Sequence, residues 1–183
     1  KIVMGNTNKK RSLAESKYNE RCDECAEALK NLKTAYPEIT CLRDVSVSMF
    51  EAEKERISNP VCRKRAEHVI YECDRVLKSI DAFANDNLSL FGNLMTASHA
   101  SLRDLYEVTG LHLDTMVEEA LKIDGCIGSR MTGAGFGGCT VSIVKNDAID
   151  TFIDKVGTAY KEKTGHTAEF YVVEIGDGAR PLN

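Results

Sequence analysis

The chain has 183 residues, of which 43% are hydrophobic and 28% charged, and its formal net charge at pH 7 is -4. This length and composition suit one globular domain with its own core, and the mild negative charge argues against a nucleic-acid partner. No apolar run approaches the roughly 20 residues that span a bilayer, and no signal peptide is recognisable, so we expect a cytoplasmic protein without membrane contact.

The cysteines and histidines give no strong indication of chemistry. Seven cysteines, an odd number, are typical of reduced thiols in a cytosolic protein. Cys22 and Cys25 form a C-x-x-C inside a helical pattern without a second pair at zinc-like spacing, which favours packing over metal binding. His99 has no recognisable acidic partner or oxyanion loop beside it and is interpreted as structural. We therefore predict no metal site at these cysteines and no catalytic role for His99.

The N-terminal residues predict a strand followed by a helix. Lys1 leads directly into an apolar stretch with no initiator Met, so we expect the chain to be cut from a longer one. A strand is predicted over residues 1–6 and a turn at Gly5-Asn6-Thr7-Asn8. An amphipathic helix is then predicted from Ser12 to about Lys33.

Helical patterns continue through the middle of the chain. Asn59-Pro60 is a strong helix start, because Asn caps a free N–H and Pro suits the first helical position. Further helices are predicted over Leu88 to Leu105 and His112 to Lys122, with breaks at Gly110 and Gly125. The buried stripe of the helix after Asn59 is predicted to contain Val61, Ala66, Val69, Ile70, Cys73, Val76, Leu77 and Ile80.

The remaining residues change in character from helical to extended. Strands are predicted at Cys126 to Met131, Cys139 to Val144 and Ala168 to Ile175. A helix is predicted from Asp147 to Thr164, ending at Gly165. This order indicates the α+β class, with helices packed on one side of a small antiparallel or mixed sheet.

The connection between the first two of these strands is rich in glycine. A strand follows it where a dinucleotide-binding G-x-G-x-x-G needs a helix, and no Lys follows it as in a P-loop. From the residues alone, a phosphate-contacting loop and a plain tight turn both stay open. The loop consists of Gly133, Ala134, Gly135, Phe136, Gly137 and Gly138.

Three blocks of the sequence closely resemble galactokinases, which belong to the superfamily of galactose, homoserine, mevalonate and phosphomevalonate kinases. They occur in the family's order and together cover nearly the whole chain. The resemblance is to the C-terminal half of such an enzyme. The blocks are Asn6 to Asn8 with Leu13 to Arg21, then Phe91 to Met95 with Ser98 to Asp104 and Tyr106 to Val108, and finally Gly128 to Val141.

The resemblance implies that residues 1–183 form the ferredoxin-like C-terminal domain of a galactokinase-like sugar kinase. In such a domain Tyr18 contacts the sugar and the loop 133–138 supports the phosphate-binding loop. The catalytic Asp, its neighbouring Arg and most ligands of ATP and Mg²⁺ are expected in an N-terminal half that this chain lacks and would have as its partner. The intact protein would transfer the γ-phosphoryl group of ATP to galactose, and this chain alone would be inactive.

The resemblance leaves two alternatives open and shows several departures. The protein would otherwise be a kinase for a related sugar such as N-acetylgalactosamine, or a regulatory sugar sensor without catalysis. Ala134 replaces a usual glycine, which strains the loop if its φ is positive. Leu105 replaces a second acid after Asp104, and Gly110-Leu111-His112 replaces the family's usual Cys-Pro-Glu-like helix entry.

Overall fold

The chain is described here as a computed structural model that covers residues 1–9, 14–174 and 176, with the backbone alone for residues 14–16. It divides into two compact units. One unit comprises Lys1–Arg11 with Thr109–Asn183 and contains the sheet, and the other comprises Ser12–Val108 and is helical. The helical unit is thus inserted between the first strand of the sheet and the remaining strands.

The helical unit is built from helices, the first three of which bury an apolar core together with the segments between them. Its elements are α1 (Ala14–Leu32), α2 (Val47–Glu53), α3 (Pro60–Ala84), α4 (Leu88–Ser101) and a π-helical segment at Leu102–Tyr106. The residues of its core are Ala28, Leu32, Ile39, Leu42, Val45, Phe50, Ile57, Cys62, Ala66 and Ile70.

Side-chain caps stabilise the starts of α2, α3 and α4, and at α4 Asn87 Oδ1 accepts the N–H of Leu90 at 3.0 Å. The predicted cap of α3 is confirmed, since Asn59 Oδ1 accepts the N–H of Val61 at 2.9 Å. The sequence patterns did not predict α2, which begins where the hydroxyl of Ser46 accepts the N–H of Met49 at 3.2 Å. A seven-residue helix has too few turns to show a period, so its cap is the clearer signal.

The buried stripe predicted for α3 is partly wrong. Ala66 and Ile70 are buried, but the other apolar positions include four that are 40% to 64% exposed, namely Val61, Val76, Leu77 and Ile80. The helix instead buries Arg65 and His68. These polar side chains have partners within the unit, Glu24 and Ser101 respectively, so their burial does not leave unsatisfied groups. Apolar periodicity alone carries no information on such partners.

The sheet unit confirms the predicted α+β class and the antiparallel alternative. Its strands are β1 (Ile2–Asn6), β2 (Cys126–Thr132), β3 (Cys139–Val144) and β4 (Glu169–Val173), with helices α5 (Leu111–Ala120) and α6 (Ile149–Thr164). The strands are antiparallel in the order β2-β3-β1-β4. This is the ferredoxin-like order, in which each of two helices follows one strand and precedes the next.

The sheet and its two helices share a second core. It consists of Val3, Met116, Ala120, Val144, Ala148, Phe152, Val156 and Tyr160. Tyr160 is fully buried although it carries a hydroxyl, which therefore needs a hydrogen-bond partner inside the protein. That partner connects the core to the glycine loop, as shown below.

The predicted boundaries of the sheet unit agree with the structure at some points and differ at others. The strand at Cys139–Val144 matches in full, and α6 ends at Thr164 as predicted, before Gly165, whose φ is +73°. The predicted start of α6 at Asp147 lies instead in a 3-10 turn, Asn146–Ala148, and α6 begins after it at Ile149. The predicted start of the first helix at Ser12 and the strand end at Ile175 lie outside the described residues. Within the described part of the chain, no helix has both the length and the apolar character of a membrane span.

Candidate functional site: the glycine loop and its supports

The six-residue loop 133–138 connects β2 to β3 in a conformation that requires its glycines. The φ angles of Gly133, Gly135, Gly137 and Gly138 are +83°, +83°, +118° and +93°. Residues with a Cβ rarely adopt such angles, and values near +118° lie outside even the left-handed helical region. The glycines are therefore needed for the path of the backbone.

The two other residues of the loop differ in their backbone conformation. Ala134 is not among the residues with positive φ, so replacing the family's usual glycine does not strain this position. Phe136 does have a positive φ, +59°, which is rare for a bulky side chain and costs on the order of 1 to 3 kcal/mol. Within the loop, the strained non-glycine backbone angle is therefore that of Phe136, which no sequence pattern had indicated.

The segment after β1 holds the end of the loop. Thr7 is fully buried, and both its N–H and its hydroxyl donate to the carbonyl oxygen of Gly138, at 2.9 and 2.7 Å. A Cβ at Gly137 would lie 2.9 Å from the carbonyl oxygen of Lys9. Thr7 therefore fixes the end of the loop, and the backbone of Lys9 lies close to Gly137. Asn8, between them, turns the chain with a φ of +52°.

A hydrogen-bonded chain connects these contacts to α6 and α5. The hydroxyl of Tyr160 donates to the carbonyl oxygen of Thr7 at 2.8 Å. It also lies 2.9 Å from Nδ1 of His112, whose ring packs edge-on against His166. Burial raises the pKa of Tyr160, and burial, with smaller contributions from His166 and Lys9, lowers the pKa of His112. Burial thus favours the neutral form of each group.

The sign of φ alternates at the start of the loop, positive at Gly133 and Gly135 but not at Ala134. Loops with such alternation can turn successive backbone N–H groups to one side, as anion-binding concavities do. Among the described residues, no group of three or more His, Cys, Asp or Glu side chains is placed to hold a metal ion.

Tyr18, the residue predicted to contact the sugar, lies on α1 and is 62% exposed. It is not part of the core of the helical unit, so its ring and hydroxyl are accessible. Arg21, three residues later on the same side of the helix, is buried. Its guanidinium donates to the carbonyl oxygens of Tyr106 and Glu107, at 2.6 and 3.2 Å. α1 is therefore fixed in place next to Tyr18, while the sugar contact stays a prediction.

A second buried arginine strengthens this attachment. Arg65, on α3, donates to Glu24 at 2.8 Å and to Glu107 at 3.0 Å, and also to the carbonyl oxygen of Leu105. Glu107 itself ends the π-helical segment with a φ of +56°. Two of the blocks on which the family resemblance rests, around Tyr18 and around Glu107, are therefore joined by one ionic network.

The side chains that the sequence assigned to packing show little sign of chemistry. The packing role predicted for Cys22 is wrong, because this side chain is exposed. Cys25 is half-buried, with its sulfur 3.8 Å from the hydroxyl of Tyr106. Burial raises the pKa of Cys25, which makes the thiolate less available. His99 is buried on α4.

Sequence reasoning missed Thr7, Tyr160 and His112 as supports of the loop. Thr7 appeared only as part of a turn, and Tyr160 only as one residue of a helical pattern. Their roles depend on contacts across 131 and 153 positions of sequence. The sequence offered one indication of these roles, which is that Gly110-Leu111-His112 replaces the family's usual helix entry.

Comparisons with known proteins agree with this architecture. Residues 79–162 match the family described as GHMP kinases C terminal. The galactokinase of Clostridium acetobutylicum is 54% identical over 183 residues, which is 100% of this chain and 47% of that protein. The galactokinase of Bacillus subtilis is 51% identical over 181 residues, 99% of this chain and 46% of that protein. The chain thus spans about half the length of the curated relatives it matches.

Solved structures show the same relation. The crystal structure of Lactococcus lactis galactokinase complexed with galactose matches 99% of this chain, and 46% of that one, with a TM-score of 0.93 and 49% identity. The structure of L. major mevalonate kinase in complex with R-mevalonate matches 92% of this chain and 41% of that one, with a TM-score of 0.56 and 17% identity, and shows the fold alone. The chain is thus similar along its whole length to about half of each of these galactokinases, and its residues 79–162 match the C-terminal family of the GHMP kinases.

Proposed function

We propose that the intact protein is a galactokinase, which transfers the γ-phosphoryl group of ATP to the anomeric hydroxyl of galactose. The observation that carries this proposal is identity of about 50% to galactokinases along the whole chain. The match to a galactokinase solved with galactose supports the same substrate. Residues 1–183 would be the C-terminal domain of this enzyme, which we expect in the cytoplasm.

In this proposal Tyr18 contacts the sugar. A phenol presents an apolar ring face to the C–H side of a sugar and a hydroxyl to one of its oxygens. The exposure of Tyr18 and the attachment of α1 through Arg21 support this role, since a ligand contact needs an accessible side chain on a fixed backbone.

The glycine loop, residues 133–138, would support the loop that binds the phosphates of ATP. Its positive φ angles and its attachment to Thr7 give it a defined path. Phosphoryl transfer requires positioning and stabilisation of charge spread over the phosphoryl oxygens, and little covalent chemistry from the protein. A fixed loop beside the phosphates contributes to the positioning.

The groups that perform the transfer would come from an N-terminal half, the partner of this chain in the intact enzyme. Mg²⁺ would be held mainly by that half and by the nucleotide, since this ion usually keeps few protein ligands. We accordingly expect no phosphoryl transfer from residues 1–183 alone.

The test is a coupled assay of ADP release by the full-length protein, with galactose, N-acetylgalactosamine or no sugar. Galactose-stimulated turnover, at a higher kcat/KM than with N-acetylgalactosamine, is the expected result. Preference for N-acetylgalactosamine would overturn the substrate assignment. Binding of galactose and ATP without turnover would replace the enzyme by a regulatory sensor. The 183-residue chain serves as the matched control and should show no sugar-dependent turnover.

A further inference from the structure

The hydroxyl of Tyr160 lies between two polar atoms in a site closed to solvent. Tyr160 is fully buried, and its oxygen is 2.8 Å from the carbonyl oxygen of Thr7 and 2.9 Å from Nδ1 of His112. Tyr160 is on α6, His112 is on α5 and Thr7 follows β1. Three elements of the sheet unit therefore meet at one hydroxyl group.

The direction of these hydrogen bonds follows from counting protons. A carbonyl oxygen only accepts, so the single hydroxyl proton of Tyr160 is directed at Thr7. The same oxygen then has only lone pairs left for His112, so Nδ1 of that histidine must carry a proton and donate it. Both the Nδ1–H neutral tautomer and the imidazolium meet this requirement, whereas the Nε2–H neutral tautomer does not.

Thr7 connects the hydroxyl of Tyr160 to the glycine loop. Thr7 directs its N–H and its hydroxyl at the carbonyl oxygen of Gly138, at 2.9 and 2.7 Å. That carbonyl belongs to the last residue of the loop, whose φ is +93°. The accepting carbonyl and the donating N–H of Thr7 belong to different peptide groups, so Thr7 relays the contact through its position and not through one polarised chain of hydrogen bonds.

We propose that Tyr160 is a positioning residue for the glycine loop, acting through Thr7, and that the Nδ1–H form of His112 orients it. The loop's end is then set by the helices behind the sheet as well as by its own glycines. The consequence for catalysis rests on the proposed function, because it requires the loop to support the phosphates of ATP. The positioning of the loop by Tyr160 does not depend on the proposed function.

The surroundings of His112 are consistent with its role as a donor. Its ring meets the ring of His166 edge-on at 4.7 Å between centroids. His166 directs its own Nδ1 at the carbonyl oxygen of Thr164 at 3.1 Å, which also requires a proton on that nitrogen. Each histidine of the pair thus has a separate acceptor for its Nδ1 proton.

The first test compares Tyr160→Phe with Tyr171→Phe in the full-length protein. The control removes the same hydroxyl group from an exposed tyrosine of β4 whose partner is Glu169. Tyr160→Phe is expected to speed amide hydrogen exchange at Thr7 and across the loop by about fivefold, the effect of one lost hydrogen bond. It should also raise KM for ATP while KM for galactose stays unchanged.

The two readouts separate this inference from the proposed function. Exchange rates at Thr7 and the loop that match those of Tyr171→Phe would overturn the positioning role, whatever the activity. Faster exchange in a protein without sugar-dependent turnover would uphold the positioning role and remove the proposed function. A rise in KM for galactose equal to that for ATP would contradict action through the loop.

The second test determines the histidine tautomer directly. Ring ¹⁵N NMR of His112, recorded well above the usual titration range of histidine, is expected to show a protonated Nδ1 and a bare Nε2. The reverse pattern would overturn the assigned role of His112. In parallel, His112→Asn retains an N–H near the position of Nδ1, and His112→Leu removes it. Only the leucine variant should reproduce the exchange pattern of Tyr160→Phe, and equal behaviour of the two variants would contradict the donor role.

Discussion

Replacing Gly137 by alanine tests the structure of the loop most sharply. The added Cβ would lie 2.9 Å from the carbonyl oxygen of Lys9, closer than the roughly 3.3 to 3.6 Å of a C–H···O contact. The φ of +118° at this position also lies outside the left-handed region that alanine can enter. The variant therefore suffers both a steric overlap with backbone and a strained backbone angle.

The expected loss of stability follows from these two effects. Backbone strain of this kind costs roughly 1 to 3 kcal/mol and overpacking a similar amount, and partial relaxation leaves about 3 kcal/mol. Gly165→Ala is the matched control, because Gly165 has a φ of +73° and open space around its Cβ position. It should show only the left-handed penalty of about 1 kcal/mol.

Urea denaturation of both variants and the parent measures the difference. The slope with urea should stay constant while the midpoint falls, and falls further for Gly137→Ala than for Gly165→Ala. In thermal unfolding, 1 kcal/mol corresponds to about 2 to 4 °C for a chain of this size. Equal losses for the two variants would refute the close approach of Lys9 to the loop.

Three further predictions concern other residues. Ala134→Gly should cost less than about 1 kcal/mol in urea denaturation, since the negative φ of Ala134 gives glycine no advantage and only frees the unfolded chain; a clear gain in stability would contradict that angle. Tyr18→Phe in the full-length protein should weaken galactose binding about fivefold in calorimetry, at unchanged melting temperature, if the hydroxyl bonds the sugar; unchanged affinity would make Tyr18 structural. Burial raises the pKa of Cys62 and of Cys126 to about 11, so at pH 8 both should react with iodoacetamide far more slowly than the exposed Cys22. Their labelling rates should keep rising as the pH approaches 11, and labelling at the same rate as Cys22 would contradict the effect of burial.

The sheet unit shows how far local sequence patterns determine a fold. The strand Cys139–Val144 and the end of α6 at Gly165 were predicted because alternation and a glycine stop are local signals. The position of the strained backbone angle in the loop was not predicted. The departure from the family pointed to Ala134, whereas the positive φ occurs at Phe136. The loop is in contact with Thr7, which is far away in sequence, and no local pattern reveals such a contact.

The α3 helix shows the same limit in the helical unit. Apolar periodicity placed Val76, Leu77 and Ile80 in the core, but these side chains are exposed. Arg65 occupies a buried position because Glu24 and Glu107 neutralise it there. Both carboxylates come from other elements of the unit, so no pattern within α3 reveals them.

The most direct measurement for the account as a whole is ATP turnover by the full-length protein with galactose as acceptor. We predict turnover that depends on galactose, that yields galactose 1-phosphate, and that is slower with N-acetylgalactosamine at equal concentration. A full-length protein that is folded and binds ATP, yet releases no ADP in response to galactose, would contradict the proposed function.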